Sequence, residues 1–176
     1  MLDQTTATHQ FLTFSLGEEM FAVKVRNIRE VLEVVPITRV PGMPPHMKGV
    51  LNLRGSVVPV INLRKKFDME AVGDTVETSI IIMEIEEGEE THLMGVFVDA
   101  VYEVIEIPPA NIEPAPEMGL HLDSRFIEGM CQREKGFMIL LDINRVLSTR
   151  EVNQILSIGE SAEKHQHAGE NGKDRE

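Results

Sequence analysis

The sequence is poor in the groups on which catalysis and nucleic-acid recognition depend. Its one cysteine, Cys131, excludes an internal disulfide and reads as a buried, inert thiol in a strand. It has no tryptophan and a single tyrosine, Tyr102. A small barrel that binds single-stranded nucleic acid interleaves cations with aromatic platforms; here the seven phenylalanines mostly fall in strand-like runs and read as core. No apolar run reaches the ~20 residues that span a bilayer, and the opening MLDQTTATHQ lacks the basic and apolar regions of a secretory signal. With the lone cysteine, these features point to the cytoplasm.

Catalytic signatures are missing as well. The sequence contains no GxxxxGK[ST] phosphate loop, no GxGxxG, no GxSxG and no HExxH. His9, His46, His92 and His121 have no ligand-type spacing to one another or to Cys131, and His165-Gln166-His167 reads as a solvated tail. Glu86-Glu87 and Glu89-Glu90 read as solvated residues of a hairpin tip. No catalytic, cofactor or metal site is expected.

What is present is a core-forming share of apolar residues, 42%, in a chain of 176 residues that fits one domain or two small ones sharing an interface. The net charge of −12 is unevenly spread: residues 1–67 carry +4 and residues 68–128 carry −15. The acidic middle disfavours nucleic acid and anionic membrane as partners. The asymmetry serves either solubility or the orientation of partners.

Turn residues divide the chain into short β-type runs. Four hairpins are expected: 11–16 with 20–25, 49–54 with 56–61, 79–86 with 91–99, and 127–133 with 137–142. Pro59 cannot donate to a ladder, which suggests an edge strand or a bulge there. Val25, Ile28, Val31 and Leu32 have helical spacing and predict a short helix over about 25–33. Ser148 with Glu151 resembles a capping box opening a C-terminal helix through about Ser157. The polar tail 158–176 lacks the apolar surface to order itself.

The chain repeats itself. Shifted by 73, residues 23–41 match 96–114, with Val23/Val96, Val25/Val98, Glu30/Glu103, Val31/Val104 and Pro36/Pro109 among the pairs. Shifted by 80, residues 49–67 match 129–147, with Gly49 on Gly129 and Asn62 on Asp142. Each half of about 70 residues is marginal alone, so a common core is expected. Asn52-Leu53-Arg54-Gly55 stands out because its counterpart, 132–135, reads Gln-Arg-Glu-Lys. Arg54 is therefore either a functional group present in one half or the solvated side chain of a tight turn. Among the ten methionines, Met43 and Met47 in the PGMPPHMKG loop are the candidates for contact, the strand methionines for packing.

The segment GVLNLRGSVVPVINLRKKF (49–67) resembles the signature of the CheW family. IREVLE (28–33), ITRVPGMPPHMKG (37–49), GVFVDAVYEVIEIPPANIEPAPE (95–117) and GFMILLDINRVL (136–147) are similar to it in the same order. The resemblance covers about residues 10–150. It implies a mainly β chain: two intertwined SH3-like five-stranded barrels, over approximately 10–77 and 78–150, with the short helix near 25–33 and the C-terminal helix ending at 151–157. It implies a non-catalytic adaptor joining methyl-accepting chemoreceptors to the histidine kinase CheA, with that kinase's regulatory domain, the receptors' hairpin tips and other CheW-like adaptors in rings as partners. Carried over by motif, Arg54, flanked by Asn52 and Gly55, matches a residue of receptor coupling, and Glu30 the acidic position in the family's short helix. Ile28, Val31 and Val98 would line the receptor groove. The kinase surface is left unassigned. Such a protein would be cytoplasmic and reach receptor arrays through its partners. A CheV-like protein would need a receiver domain, for which these residues leave no region, and an enzyme or nucleic-acid-binding barrel would show nucleotide or nucleic-acid binding.

The tail gives the first test. Truncation after Ile158 is expected to leave the melting temperature and kinase coupling nearly unchanged; a large loss of either, by thermal melt or kinase assay, contradicts the compositional reading.

Overall fold

A computed structural model describes residues 9–115, 122–147, 150–151, 153–155 and 157. Eleven strands form among them: β1 (Gln10–Leu16), β2 (Glu19–Lys24), β3 (Ile28–Glu33), β4 (Met47–Leu53), β5 (Ser56–Asn62), β6 (Ser79–Glu87), β7 (Glu90–Val98), β8 (Ala100–Glu106), β9 (Ile112–Glu113), β10 (Ile127–Arg133) and β11 (Gly136–Leu141). All four expected hairpins are present. They build two sheets, ordered β8-β1-β2-β11-β10-β9 and β3-β6-β7-β5-β4. The sixth strand of the first, β9, is two residues long, and its counterpart in the second is a single bridge between Thr38 and Val50.

The repeat is visible in the register. Gly49 follows a bulge in β4 and Gly129 follows one in β10. A Cβ at Gly49 would lie 2.4 Å from the Thr38 carbonyl oxygen, and one at Gly129 2.4 Å from Ile112 Cγ2. In both halves, then, the crossover segment runs against the hairpin too closely for a side chain, by its backbone at Gly49 and by Ile112 at Gly129. The parallel pair Val60–Gly95 between β5 and β7 recurs as Leu140–Ala22 between β11 and β2, as the shifts of 80 and 73 require.

Those parallel pairs also correct the expected barrel limits. The sheets do not divide at 77/78. The first takes β1–β2 and everything from β8 onward, and the second takes β3 to β7. Each half gives its first hairpin to the other half's sheet, which is the form the intertwining takes.

Exchange leaves three packed regions. Phe11, Ala22, Ile107, Met138 and Leu140 fill one barrel. Leu51, Val58, Val60, Ile80, Ile82 and Phe97 fill the other. Between them lies the largest, with Leu12, Phe14 and Phe21 from the first sheet against Ile81, Met83, Ile85 and Val96 from the second. Strand alternation explains the run Ile80-Ile81-Ile82-Met83: even positions face the barrel interior and odd ones the shared core, so β6 is apolar on both faces. An aromatic line, Phe14–Phe21–Phe67–Phe126, crosses the shared core at centroid spacings of 5.7, 6.0 and 6.1 Å.

The expected helix over 25–33 is not formed. Val25–Asn27 make one 3-10 turn and Ile28–Glu33 are strand β3, paired with β6. Burial alternates along it, with Ile28, Glu30 and Leu32 turned inward and Arg29, Val31 and Glu33 outward. Pairing with a strand buried on both faces overrides the helical spacing of four apolar residues. Pro59 is also placed differently: β5 lies inside its sheet, and no bulge falls at the proline. The Val50 amide and carbonyl bond to Thr38, away from β5, so the Val50–Pro59 pair asks for no proline N–H. The ladder to β7 begins only at Val60.

The C-terminal helix is present at residues 150–151, 153–155 and 157, with Ile155 fully buried in the shared core; Ser148 and the tail 158–176 lie outside the described residues. Glu151 on this helix meets Lys66 Nζ at 2.7 Å and His46 Nε2 at 3.1 Å. Burial pushes the His46 imidazole below its usual range, so Lys66 carries the positive side of this contact at neutral pH.

A second polar link ties the barrels. Arg64 Nε donates to Asp99 Oδ1 at 2.8 Å, its Nη2 contacts the other Asp99 oxygen, and Asp99 also accepts the Gly17 N–H at 2.7 Å. These three residues belong to the helix after β5, the β7–β8 link and the β1–β2 turn. Arg64 holds the Asp99 carboxyl below its ordinary 3.8. A carboxyl with a depressed folded-state pKa stabilises above its unfolded value and loses that contribution as pH falls through the folded one. Asp99→Asn is therefore expected to lower the melting temperature at pH 7, with the gap to wild type closing at pH values below about 3.8. Gly49→Ala is expected to cost about 1–3 kcal/mol in denaturant unfolding, because the added methyl meets backbone. A pH-independent Asp99→Asn gap, or a neutral Gly49→Ala, contradicts the packing described.

Candidate functional site

The string Asn-Leu-Arg occurs twice within thirteen residues, at 52–54 and 62–64. In both places the asparagine side chain closes the local backbone: Asn52 Oδ1 accepts the Gly55 N–H at 2.8 Å, and Asn62 Oδ1 accepts the Lys65 N–H at 3.4 Å. The two strings then diverge. After Asn62 a one-turn helix, Leu63–Lys66, turns Arg64 inward to Asp99. After Asn52 the chain makes the β4–β5 turn, with Arg54 at φ 50° and Gly55 at φ 90°. Positive φ at both central residues matches the twist of a two-residue hairpin and suits glycine at the second. That turn presents Arg54 outward.

The Arg54 guanidinium reaches across to β3 and grips Glu30 with two nitrogens, Nη1 at 3.5 Å from Oε2 and Nη2 in contact with Oε1. Because β3 and the β4 edge lie at opposite ends of the second sheet's strand order, this fork spans the two edges of the barrel. The Arg54 side chain is 73% exposed, so the pair closes the barrel on its wet side and leaves donors for a partner. Glu30 raises the already high pKa of Arg54, so the charge is fixed at every physiological pH.

Arg54, Asn52, Gly55 and Glu30 thus lie together. Val31 is one position away on the outward face of β3, 42% exposed. Ile28, on the inward face, packs against the shared core. Val98 is not part of this surface: it is fully buried, at the far end of β7, where alternation turns it into the shared core. The Arg64–Asp99 link had a readable signal, the repeated Asn-Leu-Arg, but the direction of each arginine depends on whether a turn or a helix comes next. No cluster of His, Cys, Asp and Glu among the described residues fits a metal ion, and no described helix is long and apolar enough to cross a membrane.

In a double-mutant cycle on Arg54→Ala and Glu30→Ala, we expect each single change to leave the melting temperature nearly unchanged, because the pair is wet. A coupling large enough to unfold either variant would make the fork a structural clamp.

Comparison with known proteins places this architecture. The CheW-like domain family matches residues 10–151, spanning both barrels. The chemotaxis protein CheW of Bacillus subtilis is 34% identical over 139 residues, 78% of this chain and 86% of that protein. The chemotaxis protein CheW of Klebsiella aerogenes is 31% identical over 156 residues, 89% and 92% of the two chains. The crystal structure of the scaffolding protein TtCheW from Thermoanaerobacter tengcongensis superposes with a TM-score of 0.73 at 33% identity, covering 82% of this chain and 90% of that one. With two exchanged SH3-like barrels and a match over their whole length, the chain belongs to the CheW-like domain family.

Proposed function

We propose that this chain is a chemotaxis adaptor, a non-catalytic scaffold that couples chemoreceptors to a histidine kinase. The observation that carries the reading is the extent of the family match, which takes in both barrels and relatives named as chemotaxis proteins. An adaptor needs two surfaces held at a fixed separation, and a pair of barrels around one core supplies that rigidity. Electron or group transfer is not required of it.

In this reading the kinase partner is CheA, engaged through its regulatory domain, and the receptors dock by their cytoplasmic hairpin tips. The receptor surface is assigned to the outward face of β3 and the adjoining turn: Val31 as apolar contact, Arg54 as donor, Glu30 as the group that orients it, and Asn52 with Gly55 as the turn that presents it. A helical tip pairs an apolar stripe with flanking polar groups, which suits a surface combining Val31 with a charged fork. Other copies of the adaptor join in rings, and the protein reaches receptor arrays through these partners.

The test is kinase autophosphorylation in receptor-containing membranes, with and without this protein. Wild type is expected to raise kinase activity. Arg54→Ala and Arg54→Lys are both expected to reduce it several-fold with the melting temperature held, because lysine keeps the charge and loses the planar fork. Val31→Asp is expected to weaken receptor binding while leaving binding to the isolated kinase intact. Wild-type coupling in Arg54→Ala would overturn the assignment of this surface, and no activation by the wild-type protein would overturn the adaptor reading itself.

A further inference from the structure

Two clefts among the described residues are rich in cations, and they differ in one respect. The first, about 480 Å³, is lined by Lys66, Arg125, Phe126, Arg145 and Glu151. Each of its cations has a carboxylate: Glu151 for Lys66, Asp123 for Arg125 and Asp142 for Arg145. The second, about 330 Å³, is lined by Ile37, Arg39, Met47, Lys48, Asn62 and Lys65. Its described lining contains no carboxylate. Arg39 and Lys65 are exposed and make no ion pair among the described residues, and Lys48 lies 3.7 Å over the face of Phe97. Carboxylates near that end are Asp99, held by Arg64, and Asp74, which lines a smaller neighbouring cleft. Arg39 and Lys65, without an ion pair among the described residues, stand beside Lys48, which also lines the smaller cleft with Asp74 and Asp99; in a chain of net charge −12 this cluster of cations attracts an anionic group.

The sequence supplies such a group. The β6–β7 hairpin ends in Glu86, Glu87, Glu89 and Glu90 around Gly88. It is the longest hairpin, and its tip runs beyond the flanking strands: β3 pairs with β6 only as far as Met83, and β5 with β7 from Gly95 on, while the Glu86 N–H donates to Asn144 Oδ1 of the helix after β11. Glu86 and Glu89 are exposed at the tip. The pocket is at the other end of the same hairpin, where Phe97 pairs with Asn62 and lies under Lys48. The strand steps from Glu90 to Phe97, at ~3.3 Å each, put about 23 Å between tip and pocket. The acidic tip and the basic pocket of one molecule therefore cannot meet.

We propose that the Arg39–Lys48–Lys65 pocket receives the acidic β6–β7 tip of a second copy of this chain. Donor and acceptor are different surfaces, so the contact is heterologous and repeats head to tail, giving rings or chains of copies. A hairpin tip covers much less than the ~1,200 Å² of a stable interface. The contact is weak alone and counts where copies are concentrated or held by other partners. It gives a physical form to the copy-to-copy contact among the proposed partners. Its test needs neither receptor nor kinase, so its failure leaves the coupling reading standing.

The experiment is sedimentation velocity of the purified chain at about 0.1 mM, in about 0.02 M and about 0.5 M NaCl, conditions chosen to lengthen and shorten the Debye screening length. Wild type is expected to sediment above the monomer at low salt and as the monomer at high salt. A pocket variant, Arg39→Glu with Lys65→Glu, and a tip variant, Glu86→Lys with Glu89→Lys, change side chains that hold no ion pair among the described residues. Each is expected to be monomeric alone. An equimolar mixture of the two is expected to regain association, because each then meets an opposite charge. A wild type that is monomeric at low salt, a variant that associates like wild type, or a mixture that stays monomeric overturns the proposal.

Discussion

Two parallel strand pairs, β5 with β7 and β11 with β2, are the constraint on which the rest of this structure depends. Each joins a strand of one repeat to a strand of the other, so neither barrel can close with its own half of the sequence. Closing both brings β1–β2 and β6–β7 back to back, and the space between them becomes the largest core in the molecule. This resolves the size problem of a repeat of about 70 residues, which buries too small a fraction of its surface alone. The energetic scale favours the same view. Truncating a side chain such as Ile81, fully buried in the shared region, costs on the order of 2–5 kcal/mol, a large part of a domain's total stability of about 5–15.

A frame stabilised from within leaves its surface free for recognition. The Asn-Leu-Arg string appears at the end of β4 and again at the end of β5, and only the local structure beyond it decides the arginine's role. Inside the fold, Arg64 joins three segments from both barrels through Asp99 and Gly17. On the surface, Arg54 takes Glu30 and keeps most of its area in water. The charge asymmetry of the sequence becomes geometry in the same way. The acidic run sits on a hairpin tip, and Arg39 and Lys65, which hold no ion pair among the described residues, lie at that hairpin's opposite end.

Hairpins, repeat and barrel pair were legible because they rest on local alternation and on turn residues, which the strand Ile80–Met83 and the turns at Gly17, Gly55, Gly88 and Gly136 carry in the sequence. The features that escaped reading depend on neighbours distant in the chain. Val25, Ile28, Val31 and Leu32 fit a helix until β6 pairs with them. Pro59 implies an edge until Thr38 takes the hydrogen bonds of Val50. Val98 fits a groove until the exchange of hairpins places it inside the shared core. Arg54 and Glu30 were legible as separate site residues but their contact was not settled, because a turn of positive φ sets where the guanidinium points, and sequence spacing does not.

If hairpin exchange makes the two barrels one cooperative unit, their amides must become exposed together. Native-state hydrogen exchange across a series of low denaturant concentrations measures this directly. The slowest amides of β1 and β2 in the first barrel and of β6 and β7 in the second are expected to share one opening free energy and one denaturant dependence, equal to those of global unfolding. Two separate isotherms, with one barrel opening at lower free energy while the other stays closed, would contradict it.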